Sequence, residues 1–166
     1  SAFSYDDTNK ILNLSKITLQ PSTAESGVRI GYGVTGPAGD YTVAVGASAG
    51  QSNQGNSSVA VGRAAGTTSQ GVGAVAIGQN AGQTSQGVAS VAIGYQAATT
   101  SQANYTVAVG SQAGQIGQKL YAVAIGNLAG NSTQGIDAVA VGDGAGSTGQ
   151  GNNAVAVGYN AGTLVQ

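Results

Sequence analysis

Six carboxylates, five cationic side chains and seven tyrosines are set among many hydroxyl and carboxamide groups, and the sequence contains no His and no Cys. Imidazole acid–base catalysis, thiol nucleophiles, disulfides and His or Cys metal sites are therefore outside its reach. The carboxylates are Asp6, Asp7, Glu25, Asp40, Asp137 and Asp143. Only Asp6 and Asp7 are adjacent, and their setting, YDDTNK, reads as a turn rather than a catalytic dyad. Asp137 and Asp143 are expected on different corners of the fold, which argues against a two-carboxylate glycosidase. No repeated Gly-Gly-x-Gly-x-Asp turn offers calcium ligands. The phrases GTTSQG and GYGVTG lack the Gly-Lys-(Ser/Thr) of a phosphate loop. The many Gly-x-x-Ala-Gly phrases imitate dinucleotide fingerprints only until their tandem recurrence is noticed. The expectation is no catalytic residue, no metal, no cofactor and no enzyme activity.

What remains are surface groups. Tyr95 and Tyr159 share one place in the repeat set out below, and Tyr41, Tyr105 and Tyr121 share another. Aromatic rings beside Asn and Gln can stack on a sugar while the amides bond its hydroxyls, so Tyr95, Tyr105, Tyr121 and Tyr159 are candidate surface-binding residues. The plainer alternative has these rings covering loop backbone or packing at a subunit seam. A second column reads Ser52, Thr68, Thr84, Thr100, Ile116, Ser132, Thr148, Leu164. A flat Thr ladder is what ice-binding solenoids display, but Ile116 and Leu164 interrupt this one and no parallel Thr column accompanies it.

The elements that must position these groups follow from composition. Charged residues are 7% of the chain, against about 25% in an average domain. Glycine accounts for 29 of 166 residues without a Gly-X-Y period, which calls for a regular geometry needing Gly at fixed places. A net charge of −1 offers no surface for nucleic acid or an anionic membrane. No apolar run approaches the roughly 20 residues of a membrane span, and residues 1–20 lack a signal-peptide pattern.

Val-Ala-(Val/Ile)-Gly begins at Val43, Val59, Val75, Val91, Val107, Val123, Val139 and Val155, always 16 residues apart. Numbering the unit from that Val, position two is Ala44, Ala60, Ala76, Ala92, Ala108, Ala124, Ala140 and Ala156. Position four is always Gly and position seven always Ala. Position twelve is Gln54, Gln70, Gln86, Gln102, Gln118, Gln134, Gln150 and finally Gln166. A degenerate copy starts at Val28. The period is too short for a helical repeat, while β-favouring triplets bounded by Gly fit two short strands and two turns. The sequence thus predicts an all-β fold, a parallel β-roll or β-solenoid of 16-residue coils, roughly 38 Å long for eight coils. Each residue would lie on its own equivalent, so every column must be self-compatible: Gln amides can bond up the stack, while charges would repel.

Alternation puts positions one and three on one face and the invariant Ala on the other. The favoured assignment places Val/Ile inside the roll and Ala against a neighbouring subunit; the reverse has Ala filling a narrow roll and Val/Ile at the subunit interface. Either way both faces are covered, and one thin roll has a single interior. Self-association is expected, most simply as a parallel homotrimer.

AVAIG at 74–78 and 122–126 and SVAIG at 90–94, each followed by xxA, resemble the head repeats of trimeric autotransporter adhesins. The resemblance spans about residues 28–166 and implies a left-handed parallel β-roll in a homotrimeric fibre. Those repeats are usually slightly shorter, with a second Ala-x-Gly phrase where this chain has AGxxxQG. Similar repeats occur in viral and phage fibre proteins, whose strand-turn-strand phrase FSYDDTNKILNLSKITLQ at 3–20 is similar to, so source is open between virion and bacterial surface. The resemblance implies an extracellular head or shaft segment that binds a host-surface receptor or glycan multivalently. A purely structural spacer and an ice-binding solenoid are the alternatives.

Residues 1–27 carry 5 of the 11 charged residues and are read as an N-terminal cap or connector with short strands; 28–166 hold one degenerate and eight regular coils. The last repeat stops at Gln166 without a cap, as in a fragment of a longer fibre or an end covered by a neighbour.

Overall fold

A computed structural model of the chain describes residues 3–6, 11–14, 27–34 and 39–164. Strands β1 (Phe3–Asp6) and β2 (Ile11–Leu14) pair antiparallel. The other residues assigned to a cap or connector, and Gln166, lie outside the described residues. Nine strands form one parallel sheet: β3 (Gly27–Ile30), β4 (Thr42–Val45), β6 (Val59–Val61), β8 (Val75–Ile77), β10 (Val91–Ile93), β12 (Val107–Val109), β13 (Val123–Ile125), β14 (Val139–Val141) and β15 (Val155–Val157). A second parallel sheet holds β5 (Ser52–Gln54), β7 (Thr68–Gln70), β9 (Thr84–Gln86) and β11 (Thr100–Gln102). The chain is thus an all-β parallel β-solenoid of 16-residue coils.

Register is one repeat per step. Val91 pairs with Val75 and Val107, Ala92 with Ala76 and Ala108, Gln102 with Gln86. The degenerate coil joins the same stack, Val28 opposite Val43. Backbone groups outside the strands also bond to the next coil, as in Gly66 N to Ala81 O at 2.9 Å. The turns therefore rise with the strands, and coil-to-coil bonds recur in the turns of every regular coil among the described residues.

Position four has to be Gly for two reasons that act together. Its φ lies between 120° and 132° at Gly46 through Gly158, a region essentially closed to residues with a Cβ. A Cβ on Gly62 would also sit 2.7 Å from the Gly78 carbonyl oxygen of the coil above.

The favoured assignment of faces is overturned. Ala44, Ala60, Ala76, Ala92, Ala108, Ala124 and Ala140 are fully buried inside the roll, together with the position-seven Ala residues Ala49 through Ala145. Val and Ile of positions one and three point outward, half-buried or exposed. The reason is thickness: at positions two and seven the roll closes so tightly that a methyl group fills the space, and Val or Ile there has no room. The interior is Ala, the small hydroxyl residues Thr42, Ser58, Ser90 and Thr106, and the Gln column, whose buried members run from Gln54 to Gln150.

The Gln side chains act differently from a simple ladder. Each reaches across the roll so that Nε2 donates to the carbonyl of the Val eleven residues earlier: Gln54 to Val43 at 3.0 Å, Gln70 to Val59 at 2.7 Å, Gln102 to Val91 at 3.1 Å, Gln118 to Val107 at 3.3 Å. Amide-to-amide bonding up the stack joins only Gln102, Gln118, Gln134 and Gln150, at 3.1, 2.8 and 3.0 Å. In Gln54, Gln70, Gln86 and Gln102 the buried Oε1 has no hydrogen-bond partner. The invariant Gln is first a cross-brace between the sheets and only locally a ladder.

Candidate functional site

Three surface features come out of this stack. The outer face of the nine-stranded sheet is an apolar strip. Val at position one is half-buried from Val43 to Val139, and Ile77, Ile93 and Ile125 are 38%, 36% and 40% exposed. A parallel sheet is ordinarily covered on both faces. Here Ala and Gln seal one face, and within the single chain the other is uncovered. The strip contains no charge between Val43 and Val157.

The second feature is aromatic. Tyr105 and Tyr121, in adjacent coils, stack with ring centroids 5.6 Å apart and planes 11° from parallel, each about half exposed. Both have left-handed backbone, φ 59° and 62°. Tyr95 projects alone from the turn that follows its corner Gly, on the other side of the Val strip. Tyr159 occupies the same column as Tyr95 but four coils on, about 19 Å away. The four candidate tyrosines therefore do not form one site: two make a stacked pair and two stand apart.

The third is a polar cleft of about 540 Å³, within the usual range for small-molecule sites. Tyr159 lines it with Asn127, Leu128, Asn131, Asp143, Gly144, Asn160 and the hydroxyls of Ser132, Ser147 and Thr148. Asn127 Nδ2 donates to Asp143 Oδ1 at 3.0 Å. Asn131 Nδ2 donates to the Gln112 carbonyl at 3.0 Å and to Gln115 Oε1 at 3.3 Å. Gly144 at position six lets the Asn160 carboxamide lie over it at the cleft floor: a Cβ there would collide with Asn160 Oδ1. Elsewhere that column holds Gly33, Ser48, Ala64, Asn80, Gln96, Gln112, Leu128 and Asn160. Among the eight regular coils Gly144 is the one Gly of that column, with Gly33 in the degenerate coil, and that signal was hidden among the many glycines that the coil geometry demands. Asp137 and Asp143 lie at opposite ends of β14, consistent with their expected separation.

The Thr column is in register and exposed at Thr68, Thr84 and Thr100. The residue after each, Ser69, Ser85 and Ser101, has φ near 55°, so the strand is kinked at its middle and the hydroxyls do not extend into a second flat row.

Comparison with protein families matches the YadA head domain repeat (two copies) at residues 54–81, 85–113 and 134–161, slightly more than half of the chain. No curated protein and no solved structure matches it.

Proposed function

The chain belongs to the YadA head domain repeat family, and from that premise we propose that it is a head segment of a trimeric, adhesin-like fibre on a bacterial cell surface. Three left-handed rolls pack their Val/Ile strips around a common axis, and the resulting rod carries repeated weak contacts to a host surface. Its work is attachment rather than catalysis, and affinity comes from multivalency: three copies of each outward feature act at high effective concentration.

One observation carries this reading. The outward strip from Val43 to Val157 is apolar and open along its length, while the opposite face of the same strands is sealed by Ala. Strips of this kind mark association surfaces, and three-fold closure leaves no strip exposed. The Tyr residues and the polar cleft lie off the strip, so trimer formation leaves surface groups for a receptor. Sedimentation equilibrium on the chain at micromolar concentration is the test. A mass of three chains is expected, and a stable monomer overturns the proposal.

A further inference from the structure

We propose that the cleft floored by Gly144 and bounded by Asn127, Asn131, Asp143, Tyr159 and Asn160 is a carbohydrate subsite that takes one neutral pyranose of a host-surface glycan. This inference rests on the attachment reading above and assigns it a site and a ligand class.

A pyranose has a face of C–H groups and a rim of hydroxyls, and the cleft offers a counterpart for each. Tyr159 is 79% exposed and supplies a free ring face at one wall. Asp143 has one carboxylate oxygen held by Asn127, which fixes the pair and leaves the second oxygen to accept from a sugar hydroxyl. Asn160 Oδ1 points over the Gly144 Cα, into the space a side chain would fill. Backbone bonds hold the walls in place before any ligand arrives: Gly144 N to the Asn127 carbonyl at 2.9 Å, and Asn160 N to the Asp143 carbonyl at 2.8 Å.

The lining also rejects other classes. Among the described residues no Lys or Arg borders the cleft and its charged group is Asp143, which disfavours phosphate, sulfate and sialic acid. Leu128 is its one large aliphatic wall, too little for a lipid chain. At 540 Å³ it accommodates one ring and part of a second.

The test is an array of immobilised neutral oligosaccharides ending in galactose, glucose, mannose or their N-acetylated forms, with sulfated and sialylated glycans beside them. The chain is compared with Gly144→Gln and Tyr159→Ala. Gln fits this backbone, since Gln96 and Gln112 hold the same left-handed conformation in their own coils, φ 53° and 55°. Its Cβ must push aside the Asn160 carboxamide, the far end of a flexible side chain, so Gly144→Gln fills the cleft while the backbone of the coil stays in place, which a thermal melt checks. Binding to at least one neutral terminus is expected, with a tenfold or greater loss in both variants. No neutral binding, binding only to charged glycans, or undiminished binding by folded Gly144→Gln overturns the subsite. Attachment to cultured host cells is measured in parallel. Attachment that persists in Gly144→Gln while the array stays blank removes the cleft and spares the attachment reading. A parent chain that attaches to no cell removes the latter.

Discussion

Gln134 crosses the interior of the roll to Val123, its Nε2 donating to the Val123 carbonyl at 2.8 Å. The same nitrogen donates to Gln150 Oε1 at 3.0 Å, and Gln134 Oε1 accepts from Gln118 Nε2 at 2.8 Å. A single carboxamide thereby ties one sheet to the other and one coil to both neighbours. With Gln118 it is among the largest fully buried side chains of an interior otherwise made of Ala methyl groups and a few small hydroxyl side chains, and the roll has no branched aliphatic core to fall back on. Gly130 sits against it: a Cβ there would come 2.6 Å from the Gln134 carboxamide carbon.

Gln134→Ala removes these bonds, leaves a cavity and strands the Val123 carbonyl. The expected loss is about 2–4 kcal/mol in urea unfolding. Gln54→Ala is expected to cost less, because Gln54 makes one such bond, to Val43, and its Oε1 is already unpaired. Equal losses at the two positions would show that volume alone matters and that the coil-to-coil bonding contributes nothing.

The corner glycines give a sharper expectation. Gly78 has φ 125°, and a Cβ on it would lie 2.6 Å from the Gly94 carbonyl oxygen. Gly78→Ala meets backbone strain and a clash with backbone that cannot swing away, so about 3 kcal/mol or more should be lost. Gly73→Ala is the control. Its φ is 67°, but its Cβ would meet nothing within 4 Å and Ala89 holds the same position in the next coil at φ 51°. Its cost should be about 1–2 kcal/mol. A melt that drops equally for both would refute stacking as the reason for the position-four Gly.

Much of this architecture was legible before any coordinates. An unbroken 16-residue period with fixed Ala, Gly and Gln places leaves little but a stack, and strand register follows from the period. The direction of the side chains was not legible in the same way. Alternation tells which residues share a face, not which face is inside, and the habit of placing Val and Ile inward failed because the roll is only an Ala thick. Gln was recognisable as a column, but its reach to Val43, Val59 and their equivalents depends on the distance between sheets, which sequence does not carry. The cleft was hidden for a related reason. Gly144 differs from Leu128 and Asn160 only at a position already free to vary, and its effect appears once neighbouring coils are stacked around it.

Tyr105 and Tyr121 test whether an exposed aromatic column serves the fold or a ligand. Their stacking should contribute about 0.5–1.5 kcal/mol, so Tyr121→Ala should lower stability within that range in urea unfolding. Tyr121→Phe keeps the ring and should restore it. Loss of host-cell attachment in Tyr121→Ala with recovery in Tyr121→Phe would assign the ring face to binding. Unchanged attachment in both would leave the pair a structural feature of the loop.

The outer strip and the inner column respond to substitution in opposite ways, and that contrast is the strongest test of the assembly. Ile93 is 36% exposed on the outer face of β10, flanked in register by Ile77 and Val109. Ala92, the preceding residue, is fully buried facing the roll interior. Ile93→Lys puts a charge into the strip without touching the Ala and Gln interior, so each coil should keep its circular dichroism. In a trimer, however, three such charges would meet in an apolar seam, each without a partner, at a cost of several kcal/mol each. The expected outcome is a folded monomer by sedimentation, with attachment reduced at least tenfold as avidity is lost. Ala92→Leu should do the reverse, inserting three carbons where a methyl group already fills the space and unfolding its coil rather than separating the chains. A trimer that survives Ile93→Lys, or a roll that accommodates Leu at position 92 at no cost, would contradict the orientation on which the assembly depends.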